Sequence, residues 1–268
     1  MRADEYLVKS GSAVSRQRAK ELIQSGGVLI GGKPVKKPSS EVTGDEEIQI
    51  IGETLKYVSR GGLKLEKAAK VFDISFEGKK CVDFGASTGG FTDCMLRGGA
   101  EIVYAVDVGH GQLDKKLLSD GRVVNMEGFN LRNITAADIG GKADILVCDV
   151  SFISLKLIMR GMADVLKDSG EAAVLIKPQF ECGRQDVGKN GIVRSKKVHV
   201  RVLNEIFAAF ADNGLYADRF DYSPICGGDG NIEYIAHVIH SGGTYPALCC
   251  NFSELVDDAF DTLGNRKE

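Results

Sequence analysis

Residues 82–91 read Val-Asp-Phe-Gly-Ala-Ser-Thr-Gly-Gly-Phe, an apolar strand that runs straight into a glycine-rich turn and then an amphipathic segment. Strand, turn and helix in that order is how an open α/β sheet receives a nucleotide-like cofactor. The glycines let the backbone come close to a ligand, and the first turn of the helix offers free N–H groups. The spacing Gly85-x-x-x-Gly89-Gly90 departs from the Gly-x-Gly-x-x-Gly of enzymes that cradle a pyrophosphate. It suits a ligand without phosphates, such as S-adenosylmethionine, and makes Asp83, Gly85, Ala86, Ser87, Gly89, Gly90 and Phe91 the candidate cofactor contacts. A tight turn that binds nothing is the alternative.

From Ser59 onward helix and strand alternate. A helix over 62–72 precedes strands predicted at 80–84, 102–106, 123–126, 145–148, 172–176, 217–222 and 232–239, with helical stretches between most of them. Alternation of this kind implies a mostly parallel, doubly wound sheet, and the last pair, which lacks an intervening helix, predicts an antiparallel edge. The polar, glycine-containing stretch 183–194 reads either as a lid or substrate-contacting loop over the carboxyl edge of the sheet, or as a plain connector.

The first fifty residues form a separate pattern: a short helix over 2–9, a second helix that Ser15 can cap, with Ala19, Leu22 and Ile23 at helical spacing, then short strands around 28–30, Val35 and 47–51. The expected organisation is a small α+β domain over 1–52, a linker over 53–59, the larger domain over 60–242 and a C-terminal extension over 243–268 with a helix at 252–263. Charge separates the two parts. The chain carries a formal −3, yet residues 1–40 hold eight Lys or Arg against three acids. A basic head on an acidic body indicates a module for polyanions. Arg2, Arg16, Arg18, Lys20, Lys33, Lys36, Lys37 and, further on, Arg60 are the candidate contacts to such a polyanion.

No run approaches the roughly 18 to 20 consecutive apolar residues that span a bilayer, and the N-terminus has no apolar signal-peptide core, so no membrane role is expected. Seven cysteines without Cys-x-x-Cys spacing, several in apolar runs, fit a reducing cytoplasm. No metal site is expected, since His237 and His240 point to opposite faces of a strand and neither His110 nor His199 has an evident ligand partner.

Asp107 closes the second large-domain strand a little over twenty residues beyond the glycine turn, where a carboxylate can accept from both ribose hydroxyls, or cap the next helix. Asn130 can meet an adenine amino group or serve as a turn residue. Asp149 ends the fourth strand and faces the crevice where ligands of such sheets bind, which makes it a cofactor as well as a catalytic candidate. Around it the chain reads Asp149-Val-Ser-Phe152, without the Pro-Pro-aromatic loop that accompanies methyl transfer to a base amino group, and no cysteine has the Pro-Cys setting that pyrimidine carbon methylation needs. What remains is methylation of a hydroxyl. A ribose 2′-hydroxyl is a weak nucleophile whose proton must be taken while the methyl donor is held in line. Lys64, Asp149, Lys177 and Glu233 all fall at strand or helix ends where such a site needs them. Lys177 ends an apolar strand, where burial and a neighbouring ammonium such as Lys64 are expected to lower its pKa and make it the general base, with Asp149 and Glu233 orienting the lysines.

The stretches Ser-Arg-Gly-Gly-Leu-Lys64, Asp83-Phe-Gly-Ala-Ser-Thr-Gly-Gly-Phe91, Cys148-Asp-Val-Ser-Phe-Ile-Ser-Leu155, Lys177-Pro-Gln-Phe-Glu181 and Gly230-Asn-Ile-Glu233 resemble the TlyA family. These are ribosomal RNA 2′-O-methyltransferases of the FtsJ-like class, often labelled hemolysins. The resemblance covers nearly the whole chain. It implies a Rossmann-like, seven-stranded methyltransferase sheet, S-adenosylmethionine as cofactor, cytidine ribose in ribosomal RNA or ribosomal subunits as acceptor, and a catalytic tetrad of Lys64, Asp149, Lys177 and Glu233. The N-terminal unit resembles the RNA-binding fold named after the fourth protein of the small ribosomal subunit. Two other readings stand beside this one: a non-catalytic rRNA-binding protein on a methyltransferase scaffold, disfavoured by the intact tetrad, and a secreted cytolysin, disfavoured by the absence of signal and apolar segment.

Overall fold

The computed structural model describes residues 1–13, 16–24, 26–50, 56–240 and 250–264, without the side chains of residues 17, 18, 21 and 24. Ser15, the expected cap, and residues 53–55 of the expected linker lie outside the described residues. The chain divides into two compact units, Met1–Arg60 and Gly61–Glu268.

In the first unit α1 (Ala3–Lys9) and α2 (Arg16–Gln24) pack on each other and share one core with a sheet of β1 (Val28–Ile30), β2 (Lys33–Pro34) and β3 (Ile48–Ile50). All pairings are antiparallel, in the order β2-β1-β3. Ala3, Leu7, Ala19, Ile23 and Val28 are at most 1% exposed and make the centre of a small core. So little apolar area leaves the unit dependent on local devices. One is Asp4, a buried carboxylate that receives two N–H groups from Arg2, at 2.9 and 3.2 Å, and one from Arg16 at 3.1 Å. These hydrogen bonds, Arg2 foremost, hold the Asp4 pKa down to about 2 against the cost of burial.

The second unit runs α3 (Gly61–Phe72), β4 (Lys80–Phe84), α4 (Gly90–Arg97), β5 (Ile102–Val106), α5 (Lys115–Leu118), β6 (Val123–Met126), β7 (Ala143–Cys148), α6 (Met159–Val165), β8 (Leu166–Ile176), α7 (Pro178–Glu181), α8 (Lys196–Asp212), β9 (Leu215–Tyr222), β10 (Tyr234–His240) and α9 (Phe252–Leu263). Its seven strands lie in the order β6-β5-β4-β7-β8-β10-β9. The first five are parallel. β4 and β7 are central and buried on both faces, which is why they read as almost unbroken apolar runs.

The expected antiparallel pair is present, and its order follows from burial. β10 is inserted between β8 and β9, antiparallel to both. Its first five residues, Tyr-Ile-Ala-His-Val, are buried, whereas β9 ends in the half-exposed Arg-Phe-Asp-Tyr, so the apolar strand is internal and the polar one forms the edge. The stretch expected as a C-terminal extension supplies α9 to this unit. Asn251 caps it by accepting from Ser253 and Glu254, and its Phe252, Val256, Ala259 and Leu263 join the core.

Candidate active site

Reversal of β10 decides where its ends fall. The parallel strands β4, β7 and β8 all finish at one edge of the sheet, and an antiparallel neighbour must start there. Tyr234 pairs with Ile176, so Glu233, just before β10, stands across from Lys177, just after β8. Phe84 pairs with Cys148, which brings the glycine turn after β4 beside Asp149 after β7. A side chain at Gly85 would put its Cβ 2.8 Å from the Asp149 carbonyl oxygen, and the backbone there has φ of +84°, so only glycine permits the approach.

Lys64 reaches this edge from α3. Its ammonium donates to Glu233 Oε2 at 2.6 Å and to Asp149 Oδ2 at 3.5 Å, while Lys177 Nζ lies 2.6 Å from Asp149 Oδ1. The four expected residues therefore form one chain of alternating charge, Glu233, Lys64, Asp149, Lys177. All have side-chain exposures of 17% or less. The order differs from a pocket in which one ammonium faces the other, because Asp149 stands between the lysines with one oxygen toward each. Burial works against the Lys64 ammonium, but Asp149 and Glu233 outweigh it and raise its pKa. Burial likewise penalises the Asp149 carboxylate, and the two lysines overcome that penalty and lower its pKa.

The candidate cofactor residues divide by exposure. Gly85 is half-buried and Ser87 exposed, the latter with φ of +48°, while Ala86, Gly89, Gly90 and Phe91 are buried. Gly89 serves packing, since a Cβ there would press to 2.1 Å from Leu117. It is also the N-cap of α4 and has no side chain to satisfy the first-turn N–H groups. Asp107 ends β5 half-buried and is oriented by two backbone amides, Ser87 N–H at 2.8 Å and Gly109 N–H at 2.7 Å, one on each oxygen. Asn130 is exposed and its side-chain oxygen accepts from Arg132 N–H, the turn-capping role. Asp83 is closed off from solvent: it has no exposure and faces α4, where Thr92 donates to Oδ2 at 2.7 Å. Its Oδ1 is buried with no hydrogen-bond partner among the described residues. Burial pushes its pKa up to about 7, with the Asp149 and Asp107 charges adding to the rise.

Three features escaped the sequence reading. Lys177 Nζ donates to Ser151 Oγ at 2.8 Å, two residues beyond Asp149. Phe152 is 90% exposed with φ of +62°, and its ring lies 5.0 Å from that of Phe180 in the turn after Lys177. A large aromatic held in the left-handed region and left mostly in solvent is a costly arrangement that its contact with Phe180 buries only slightly. Asn231, 1% exposed, uses both ends of its amide on the loop 183–194, accepting from Val193 N–H at 3.0 Å and donating to the Gly191 carbonyl at 2.9 Å. The loop is thus tied to the segment that carries Glu233.

Of the candidate RNA contacts, Lys33, Lys36 and Lys37 are exposed, Lys20 is half-buried, and none of the four makes an ion pair among the described residues. Arg2 and Arg16 are engaged by Asp4, the Arg18 side chain lies outside the described residues, and Arg60 is half-buried at the end of the first unit. No helix among the described residues is long and apolar enough to cross a membrane, and no group of His, Cys, Asp and Glu there can hold a metal ion.

Residues 57–239 match the model for the FtsJ-like methyltransferases and residues 1–48 the model for the S4 domain. The chain is 47% identical to YqxC of Bacillus subtilis, provisionally named as an rRNA methyltransferase, over 99% of this chain and 96% of that one. It is 39% identical to the 16S/23S rRNA (cytidine-2'-O)-methyltransferase TlyA of Mycobacterium tuberculosis, over 87% of each. A solved structure from Streptococcus thermophilus, titled as a hemolysin, superposes with a TM-score of 0.81 at 43% identity, covering 98% of this chain and 97% of that one.

Proposed function

The chain belongs to the FtsJ-like methyltransferase family, and from that premise we propose that it methylates the 2′-hydroxyl of a cytidine ribose in ribosomal RNA, free or in ribosomal subunits, with S-adenosylmethionine as donor, in the cytoplasm. The observation that carries this reading is the buried chain Glu233, Lys64, Asp149, Lys177 beside the glycine turn. The turn fits the donor. Asp107, held by the Ser87 and Gly109 amides, keeps lone pairs for a ribose diol, the start of α4 behind its glycine N-cap offers N–H groups, and neither element is built around a phosphate. Bound S-adenosylmethionine supplies a sulfonium-activated methyl group.

The protein's own part is to place and deprotonate the acceptor. Lys64 is committed to its charge by two carboxylates. Lys177 has Asp149 as its one carboxylate of the tetrad and also meets the Ser151 hydroxyl, and the proton transfer is assigned to it. The four groups cancel in formal charge, so its loss is balanced when a cationic donor is alongside. Neutral Nζ then accepts the 2′-hydroxyl proton, and Asp149 steadies the ammonium so formed. The Ser151 hydroxyl, 2.8 Å from Nζ, marks where an alcohol meets this lysine. Phe152 and Phe180 offer a stacking surface for the base of an unpaired nucleotide. The exposed lysines of the first unit, Lys33, Lys36 and Lys37, are offered to RNA phosphates.

The test is incubation of the purified protein with methyl-labelled S-adenosylmethionine and unmodified ribosomal subunits, with the label mapped by nuclease resistance and Lys177→Ala as control. Label on a ribose 2′-oxygen that disappears in the variant is expected. Binding of cofactor and RNA without label would instead make the chain a binding protein on a methyltransferase scaffold.

A further inference from the structure

Away from the tetrad, the second unit carries a groove of about 530 Å³ between the turn at Leu131–Asn133 and α6, lined by Arg132, Lys142, Arg160 and Asp164 among others. Its walls follow from the sequence. Leu131 and Ile134 are buried, which turns the intervening Arg132 outward; Met159, Met162 and Val165 are buried, which leaves Arg160 and Asp164 on the outer face of α6. Gly161 lets the walls meet, because a Cβ there would lie 2.8 Å from Ile134 Cγ2 and 3.2 Å from the Leu131 carbonyl oxygen.

The charges in this groove are not balanced internally. Arg97, Arg122, Arg201 and Arg219 of the same unit each have a carboxylate partner. Arg132 and Arg160 are exposed and have none among the described residues. The one lining carboxylate, Asp164, accepts from Ala136 N–H at 2.8 Å. Lys142 is paired with Asp168 at 3.0 Å, but that carboxylate is 90% exposed, so the pair exchanges readily for a stronger anion. Both walls continue from loops that leave the carboxyl edge of the sheet, 127–135 after β6 and 149–158 after β7, and a strand held at that edge can run along them.

We propose that this groove grips the phosphate backbone of the rRNA substrate, through Arg132 and Arg160 with Lys142 in support, as a contact of the catalytic unit separate from the basic N-terminal unit. The proposal rests on the function proposed above. Arginine suits the task because its planar fork pairs with phosphate oxygens in two hydrogen bonds.

The test measures binding of the full chain to unmodified ribosomal subunits across a salt series, for wild type, for Arg132→Gln with Arg160→Gln, and for Arg132→Lys with Arg160→Lys. Loss of two single-strand phosphate contacts makes the log–log salt slope shallower by about 1.4 and lowers affinity about tenfold at low salt. The lysine pair is expected to keep most of the slope, S-adenosylmethionine affinity is expected to stay at the wild-type value, and added RNA restores methylation by the glutamine pair. A glutamine pair with wild-type affinity and slope overturns the groove while leaving the enzyme reading intact, and so does an equal loss in the lysine pair accompanied by a lower Tm. A wild-type protein that neither binds nor methylates rRNA overturns both.

Discussion

Each unit of this protein holds a buried aspartate between two cations, and the two clusters differ in the cations they use and in how far those are buried. In the first unit Asp4 has no exposure, while its partners Arg2 and Arg16 are 42% and 52% exposed. In the second, Asp149 lies between Lys64 and Lys177, whose side chains are 10% and 9% exposed. A guanidinium keeps its proton under all ordinary conditions and stays solvated at this exposure, so the Asp4 cluster is a fixed clamp on a small core. A lysine ammonium, unlike a guanidinium, can give up its proton, which is why the reactive role is proposed for the Asp149 cluster. The difference lies in cation type and in burial, with the carboxylate common to both.

The largest effect expected from breaking this contrast is at Lys177. Lys177→Ala should lower the single-turnover methylation rate about 10³-fold, within the range for loss of a general base. Lys177→Arg should be equally inactive, because it keeps the charge near Asp149 but has no proton to exchange. An arginine variant that retained more than about a tenth of the rate would remove Lys177 as the base and leave it a charge-placing residue. Asp149→Asn comes next. It withdraws the only carboxylate of the tetrad near Lys177, whereas Lys64 keeps Glu233 at 2.6 Å. Breaking a buried pair on one side costs about 3–5 kcal/mol, to be read by urea unfolding, together with loss of methylation.

How much of this was legible before any coordinates depends on whether a feature is local. The glycine turn, the strand ends and therefore Lys64, Asp149, Lys177 and Glu233 are visible because a strand's apolar run has a definite end and a polar residue there stands out. What pairs with what is not visible. That Glu233 meets Lys64 follows from the insertion of β10 between β8 and β9, a non-local pairing that neither strand's own period encodes. The Ser151 contact to Lys177 and the two-ended grip of Asn231 on the loop 183–194 depend on side-chain direction across segments far apart in the chain. Asp83 illustrates the same limit. It falls inside the motif that names the cofactor turn, yet strand alternation sends it to the face covered by α4.

Asp83 also sharpens the contrast as a buried aspartate with no cation. Its pKa is raised to about 7, against an ordinary 3.8, so the stability it contributes is fully present below about pH 4 and is lost as pH rises through 7. Asp83→Asn keeps the acceptor for Thr92 and removes the ionisation. Urea unfolding should show the variant losing on the order of 3 kcal/mol less than wild type between pH 4 and pH 8. Identical pH slopes would mean that Asp83 is charged in the native state and partnered in some way other than through Thr92.

Asp4 has the opposite sign and gives the smallest effect. Its pKa is lowered to about 2 from 3.8, so its contribution is present above about pH 4 and fades as pH falls towards 2. Asp4→Asn should flatten the acid limb of the first unit's unfolding, followed by tryptophan-free probes such as tyrosine fluorescence, for which Tyr6 in its core is a reporter. Arg16→Lys should do almost nothing, with Tm within about 2 °C of wild type, because an exposed lysine beside Asp4 can still supply the charge and one N–H, and Arg2 keeps its two-pronged contact. The exchange of lysine and arginine is thus expected to be silent in the clamp and fatal in the tetrad. If Arg16→Lys instead lowered Tm by as much as Asp4→Asn, the clamp would depend on guanidinium geometry as the tetrad depends on ammonium chemistry, and the division between fixed and exchangeable charge would fail at its weaker end.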